Sequence, residues 1–121
     1  MQYLLLIYSD EKAWDRMSES EGAAVSKQFM DYTQSIVKSG HLRGGDALQR
    51  TRTATTVRVK DGKTVTTDGP FAETKEQLGG YYLVEAKDKE EAITLAARIP
   101  STRLGGCIEV RPIQPMPSAK G

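Results

Sequence analysis

The chain has 121 residues, 38% of them apolar, and its charges nearly cancel at +1. That length suits one domain burying about two-thirds of its unfolded surface, and no basic field is present to draw nucleic acid or an anionic membrane. No apolar run approaches the roughly 20 residues that cross a bilayer, and the single cysteine, Cys107, forms no intrachain disulfide, which suits a reducing cytoplasm.

Residues 2–8 (QYLLLIY) are too short for a helix and read as a central strand covered on both faces. They follow no basic segment and precede no small-residue cleavage site, so no secretion signal is expected. Trp14 and Met17 fall in a polar connector, where Trp14 either plugs one end of the core or faces a substrate. Ser18 and Glu21 spell a capping box. Val25, Phe29, Tyr32 and Ile36 then make one apolar stripe, which predicts a helix over residues 19–39, with Gly40 as its left-handed cap. Residues 41–48 are ambiguous, their glycines suggesting a bend or a close backbone approach.

Residues 53–60 alternate with β-branched side chains and predict a strand. Asp61-Gly62 is a hairpin turn, and residues 63–67 return. Residues 80–85 read as another buried strand. Asp88 and Glu91 cap a second helix with a stripe of Ala92, Ile93, Ala96 and Ile99, stopped by Pro100. Residues 107–111 are the last strand, and Pro112, Pro115 and Pro117 lead into a tail expected to be mobile. The domain is therefore expected over residues 1–113, with a flexible tail over 114–121. This order predicts an α+β fold, a ferredoxin-like split βαβ with an inserted β-hairpin. Helices cover one sheet face only, so a homodimer pairing two sheets is the economical way to cover the other. The modest apolar fraction leaves room for such burial.

The run DGPFAETKEQLGGYYLVE (residues 68–85) resembles the signature of the YCII-related family, in the branch named for its Asp-Gly-Pro-Phe motif. The opening MQYLLLIYSDE, the middle ATTVRVKDGKTVTTDGPF and the closing IEVRPI resemble the same family in the same order, over roughly residues 1–113. The resemblance implies a dimeric α+β barrel. It also implies an enzyme of the wider family's kind, with a His–Asp pair in a cleft and lactone-like ring compounds as substrates of some members. The branch itself is mostly uncharacterised, and its genes often lie beside extracytoplasmic-function sigma factors, which implies a regulatory link. The one histidine, His41, falls at a helix end and does not align with the family's catalytic histidine.

The residues themselves leave alternatives open. Asp68 is either a general acid or base at the mouth of a dimer cleft or the carboxylate of an Asx-type turn. Gly69, Pro70 and Phe71 shape that turn, and Phe71 is either a core anchor or a stacking platform. Glu73 and Lys75 are either a buried pair supporting Asp68 or solvated charges worth little. Tyr8, Tyr82 and Arg111 lie on strands where they either orient a polar ligand or simply pack and pair. His41 is a catalyst in one reading and a capping group in the other. One His and one Cys make no metal cluster of known spacing, no glycine-rich nucleotide motif appears, and no nucleophile elbow is present. No metal and no cofactor are therefore expected. Two functions stand side by side. One is a small cofactor-independent lyase, isomerase or hydrolase acting on a polar metabolite in a dimer cleft. The other is a non-catalytic module binding a small ligand or a regulatory partner.

Overall fold

A computed structural model describes residues 1–117; the end of the tail expected to be mobile lies outside the described residues. The elements follow as β1 (Gln2–Ser9), α1 (Glu11–Asp15), α2 (Glu19–Lys38), β2 (Leu42–Ala47), β3 (Thr55–Lys60), β4 (Lys63–Asp68), β5 (Gln77–Glu85), α3 (Lys89–Ala97) and β6 (Cys107–Pro112). The architecture is mixed α+β. Four strands form one sheet in the order β2-β5-β1-β6, with every neighbouring pair antiparallel. Strands β3 and β4 form a separate two-stranded hairpin.

Alternation sorts the central strands into two faces. Tyr3, Leu5 and Ile7 of β1 and Tyr82 and Val84 of β5 are buried on one face. There they cluster with Tyr32 and Ile36 of α2 and with Leu95, Ala96 and Ile99 at and beyond α3. Tyr32 ties the helices together by donating its hydroxyl to the Leu95 carbonyl at 2.7 Å, and its ring meets Tyr82 edge-on at 5.3 Å. Leu4, Leu6 and Tyr8 alternate to the other face, where their β5 partners are Leu83, Tyr81 and Leu78. None of the described helices lies on that face.

The capping chemistry is present as read. Ser18 accepts from Glu21 N at 3.1 Å while Glu21 accepts from Ser18 N at 2.9 Å. Asp88 accepts from Glu91 N at 2.9 Å. Short-range periodicity misplaced several details. Residues 10–16 are not only connector, because Asp10 caps α1 by accepting from Lys12 N at 2.9 Å. Strand β3 starts at Thr55, since Thr51–Thr53 winds into a 3-10 turn. Strand β5 starts at Gln77, drawn into the sheet by pairing with Ser9. Residues 42–47, left ambiguous by their glycines, are edge strand β2. Gly45 is required there: a Cβ would lie 2.7 Å from the Tyr81 carbonyl oxygen and 3.1 Å from the Tyr82 ring. On α3, Leu95 rather than Ile93 faces the core, and Ile93 is 42% exposed.

The hairpin departs from the sheet. Its turn uses Asp61 and Gly62 at φ 52° and 76°, as the Asp-Gly signal requires. With no layer over it, Val57 and Val59 are 59% and 73% exposed.

Candidate functional site

A cavity of about 710 Å³ opens on the helix side of the main sheet. Its floor is Ile7 and Tyr82, with Gly45 and Gly80 leaving the neighbouring floor positions bare. Ser26, Phe29 and Thr33 of α2 and Trp14 of α1 form one wall. The opposite wall is the loop after β2, with Leu48, Gln49, Arg50 and Arg52. Ser9, Glu11 and Gln77 close the end.

Several contacts hold this shape. Trp14 donates its indole N–H to Ser9 Oγ at 2.8 Å and lies 6.2 Å from Phe29, the rings inclined at 43°. The Tyr82 and Thr33 hydroxyls meet at 2.7 Å, and Thr33 Oγ1 also bonds the Phe29 carbonyl at 2.8 Å. Burial raises the Tyr82 phenol above its ordinary pKa, with the Thr33 contact opposing. The far loop is fastened by Glu11, which accepts from Thr51 N at 2.9 Å and from Thr51 Oγ1 at 2.8 Å. Gln77 Oε1 accepts from Glu11 N at 2.9 Å, and Arg50 pairs with Asp15 at 2.9 Å. Leu48 N donates to the Gly79 carbonyl at 2.9 Å, closing the loop onto β5.

Of the residues singled out from sequence, the cavity takes Trp14 and Tyr82. Tyr8 alternates to the opposite face, so Tyr8 and Tyr82 do not line one space within a chain. Arg111 also sits on the face without helices, 3.9 Å from Glu109. Asp68 ends β4 opposite Thr55, and its carboxylate has no hydrogen-bond partner among the described residues. Instead, backbone holds the turn: Gly69, at φ 97°, donates N–H to the Ala54 carbonyl at 2.7 Å, and Thr56 Oγ1 donates to the Gly69 carbonyl at 2.8 Å. Pro70 is exposed. Phe71 is 83% exposed and so is no core anchor of this chain, because residues 70–75 leave the hairpin exposed. Glu73 and Lys75 are exposed for the same reason, and they form no ion pair with each other among the described residues.

His41 lies at the other end of the sheet. Its Nδ1 is 2.7 Å from Ser39 Oγ and its Nε2 is 3.3 Å from Glu91. Glu91 also accepts from Lys87 N at 3.0 Å, so this cluster joins the end of α2 to the start of α3. The described residues gather no group of three or more His, Cys, Asp or Glu that could hold a metal ion. None of the described helices is long and apolar enough to cross a membrane.

Sequence reasoning missed the loop arginines, since nothing local announces where a loop will lie. It did carry partial signals for Trp14 and for the close approach at Gly45. A family model described as the YCII-related domain matches residues 1–117. An uncharacterized protein of Rhizobium meliloti (strain 1021) is 38% identical over 117 residues, covering 93% of this chain and 92% of that protein.

Proposed function

The chain belongs to the YCII-related domain family, and from that premise we propose that it binds a small molecule in the cavity beside Trp14. The observation that carries this reading is the combination of volume and lining. A cavity of about 710 Å³ falls within the range of small-ligand sites, which are mostly apolar with a few placed polar groups. Trp14, Phe29, Ile7 and Leu48 supply the apolar part, and Arg52, Gln49 and the Thr33–Tyr82 pair supply the polar part. The Asp68-Gly69-Pro70-Phe71 run supports placing the chain in the branch of the family named for that motif.

Trp14 is the only tryptophan in the chain, so its emission reports on this cavity alone. A panel of small ring compounds should contain members that shift or quench that emission. The variant Ser26→Phe, which places a ring at an exposed position on the cavity wall, should weaken the response at least tenfold. Ligands that bind wild type and Ser26→Phe equally would place the site elsewhere.

A second reading concerns the open sheet face and is favoured by one observation: a central stripe of Leu4, Leu6, Leu83 and Tyr8 carries no helix. In this reading the sheet is the ferredoxin-like split βαβ, and two copies pack these faces to make the dimeric barrel. The order β2-β5-β1-β6 supports the topology, and the stripe supports the dimer. Catalysis by Asp68, with Glu73 and Lys75 beside it, and ligand contacts from Tyr8, Phe71 and Arg111 belong to that assembly, because within one chain these groups are exposed or dispersed. Light scattering should give about twice the 13.3 kDa chain mass at micromolar concentration. A monomeric mass would remove both the barrel and the cleft enzyme.

A further inference from the structure

We infer that the cavity takes a small carboxylate with a ring-sized apolar body, its charged end on Arg52 and its ring between Trp14 and Phe29. The inference rests on the cavity being the ligand site and adds the ligand's charge and orientation.

The charge follows from which polar groups are already occupied. Both carboxylate oxygens of Glu11 accept from Thr51. The Asp46 carboxylate accepts the Tyr81 hydroxyl at 2.7 Å. Arg50 is paired with Asp15. Of the cavity's two guanidinium groups, only Arg52 has no partner of opposite charge within ion-pair distance among the described residues, and it is exposed at the rim; the Glu11 and Asp46 carboxylates are held by neutral donors. A guanidinium presents a planar fork of donors that fits a carboxylate edge.

The orientation follows from the interior. Beside the floor, the Trp14 indole N–H is spent on Ser9 and the Leu48 N–H on Gly79. Thr33 and Tyr82 have two hydroxyl protons between them, and these serve the Phe29 carbonyl and the bond between the two hydroxyls. An anion pushed to the floor would meet lone pairs and aromatic faces with no donor to offset its lost hydration. The same floor suits an uncharged ring. Ring inside and carboxylate at the rim is the arrangement that leaves no buried charge unpaired.

The test compares cyclohexanecarboxylate with uncharged cyclohexanemethanol by titration of Trp14 emission, in wild type, Arg52→Gln and Arg52→Lys. In wild type the acid should bind roughly fivefold or more tightly than the alcohol, the size of a partly exposed ion pair, and added salt should erode the difference. Arg52→Gln should bring acid binding down to that of the alcohol, and Arg52→Lys should keep part of the preference. Equal binding of the two compounds by wild type would overturn the charge assignment while leaving the cavity as a ligand site. An acid preference that survives Arg52→Gln would overturn the role of Arg52. No response to either compound would overturn both this inference and the binding reading beneath it.

Discussion

Ile36→Ala should lower the unfolding free energy by about 2–5 kcal/mol, the range for truncating a fully buried aliphatic side chain. Ile36 is 0% exposed and sits where α2 crosses the sheet, in one cluster with Leu5, Val84 and Ile99. Removing three carbons there loses the transfer free energy and opens a space that packed neighbours fill only in part. The adjacent residue gives the contrast, since Val37 points to another side of α2 and is 59% exposed, and Val37→Ala should change stability by less than about 0.5 kcal/mol. Urea unfolding of both variants measures this, read as a shift in midpoint at constant slope. If the two truncations cost the same, α2 does not dock by the Val25–Tyr32–Ile36 face.

The second large effect is loss of stability in alkali. Tyr32 and Tyr82 are 5% and 9% exposed, and burial, the leading cause for each, holds both phenols above their ordinary range. Ionising Tyr32 would also remove the proton donated to the Leu95 carbonyl. The sign follows from the unfolded chain, in which a tyrosine titrates near pH 10. Below that pH both states keep the phenolic protons and the contribution is complete. Above it the unfolded chain ionises first, so stability falls as pH rises until the folded phenols also titrate. Each tyrosine contributes a slope of up to about 1.4 kcal/mol per pH unit, so the pair reaches roughly 2.7. Denaturant unfolding between about pH 9 and about pH 11 should show this slope. Tyr32→Phe should reduce it by about half, while costing about 1–3 kcal/mol at neutral pH because the Leu95 carbonyl loses its donor. A slope unchanged in Tyr32→Phe would assign the alkaline loss to other groups.

The half-buried Tyr81 behaves differently. Its phenol is also raised, but chiefly by donating to Asp46, so its titration reports on an edge contact between β2 and β5 rather than on the core.

The local elements were legible because local chemistry writes them. The Ser18–Glu21 box fixes where α2 begins, Asp61-Gly62 fixes the hairpin turn, and the spacing of Val25, Tyr32 and Ile36 fixes which face of α2 is buried. The alternation of strands and helices also followed from the pattern, apart from the short α1 and the edge strand β2. Membership of the YCII-related domain family was carried by the residue runs themselves and agrees with the family match over residues 1–117.

The cavity was not written in this way. Alternation places Tyr8 and Tyr82 on strands, but only the register of β1 against β5 puts one under the helices and the other on the open face. Asp68 and Phe71 stood out because Asp-Gly-Pro-Phe is strong turn chemistry, yet that turn ends a hairpin lying outside the four-stranded sheet. Arg52 carried no local signal at all. It reaches the cavity because Glu11, about forty residues earlier in the chain, grips Thr51 by two hydrogen bonds. Turns, caps and amphipathic faces depend on neighbours a few residues away, so the sequence by itself determined them. A binding cavity depends on which distant segments close against each other, and only the tertiary structure decided that Trp14, Phe29, Tyr82 and Arg52 share one.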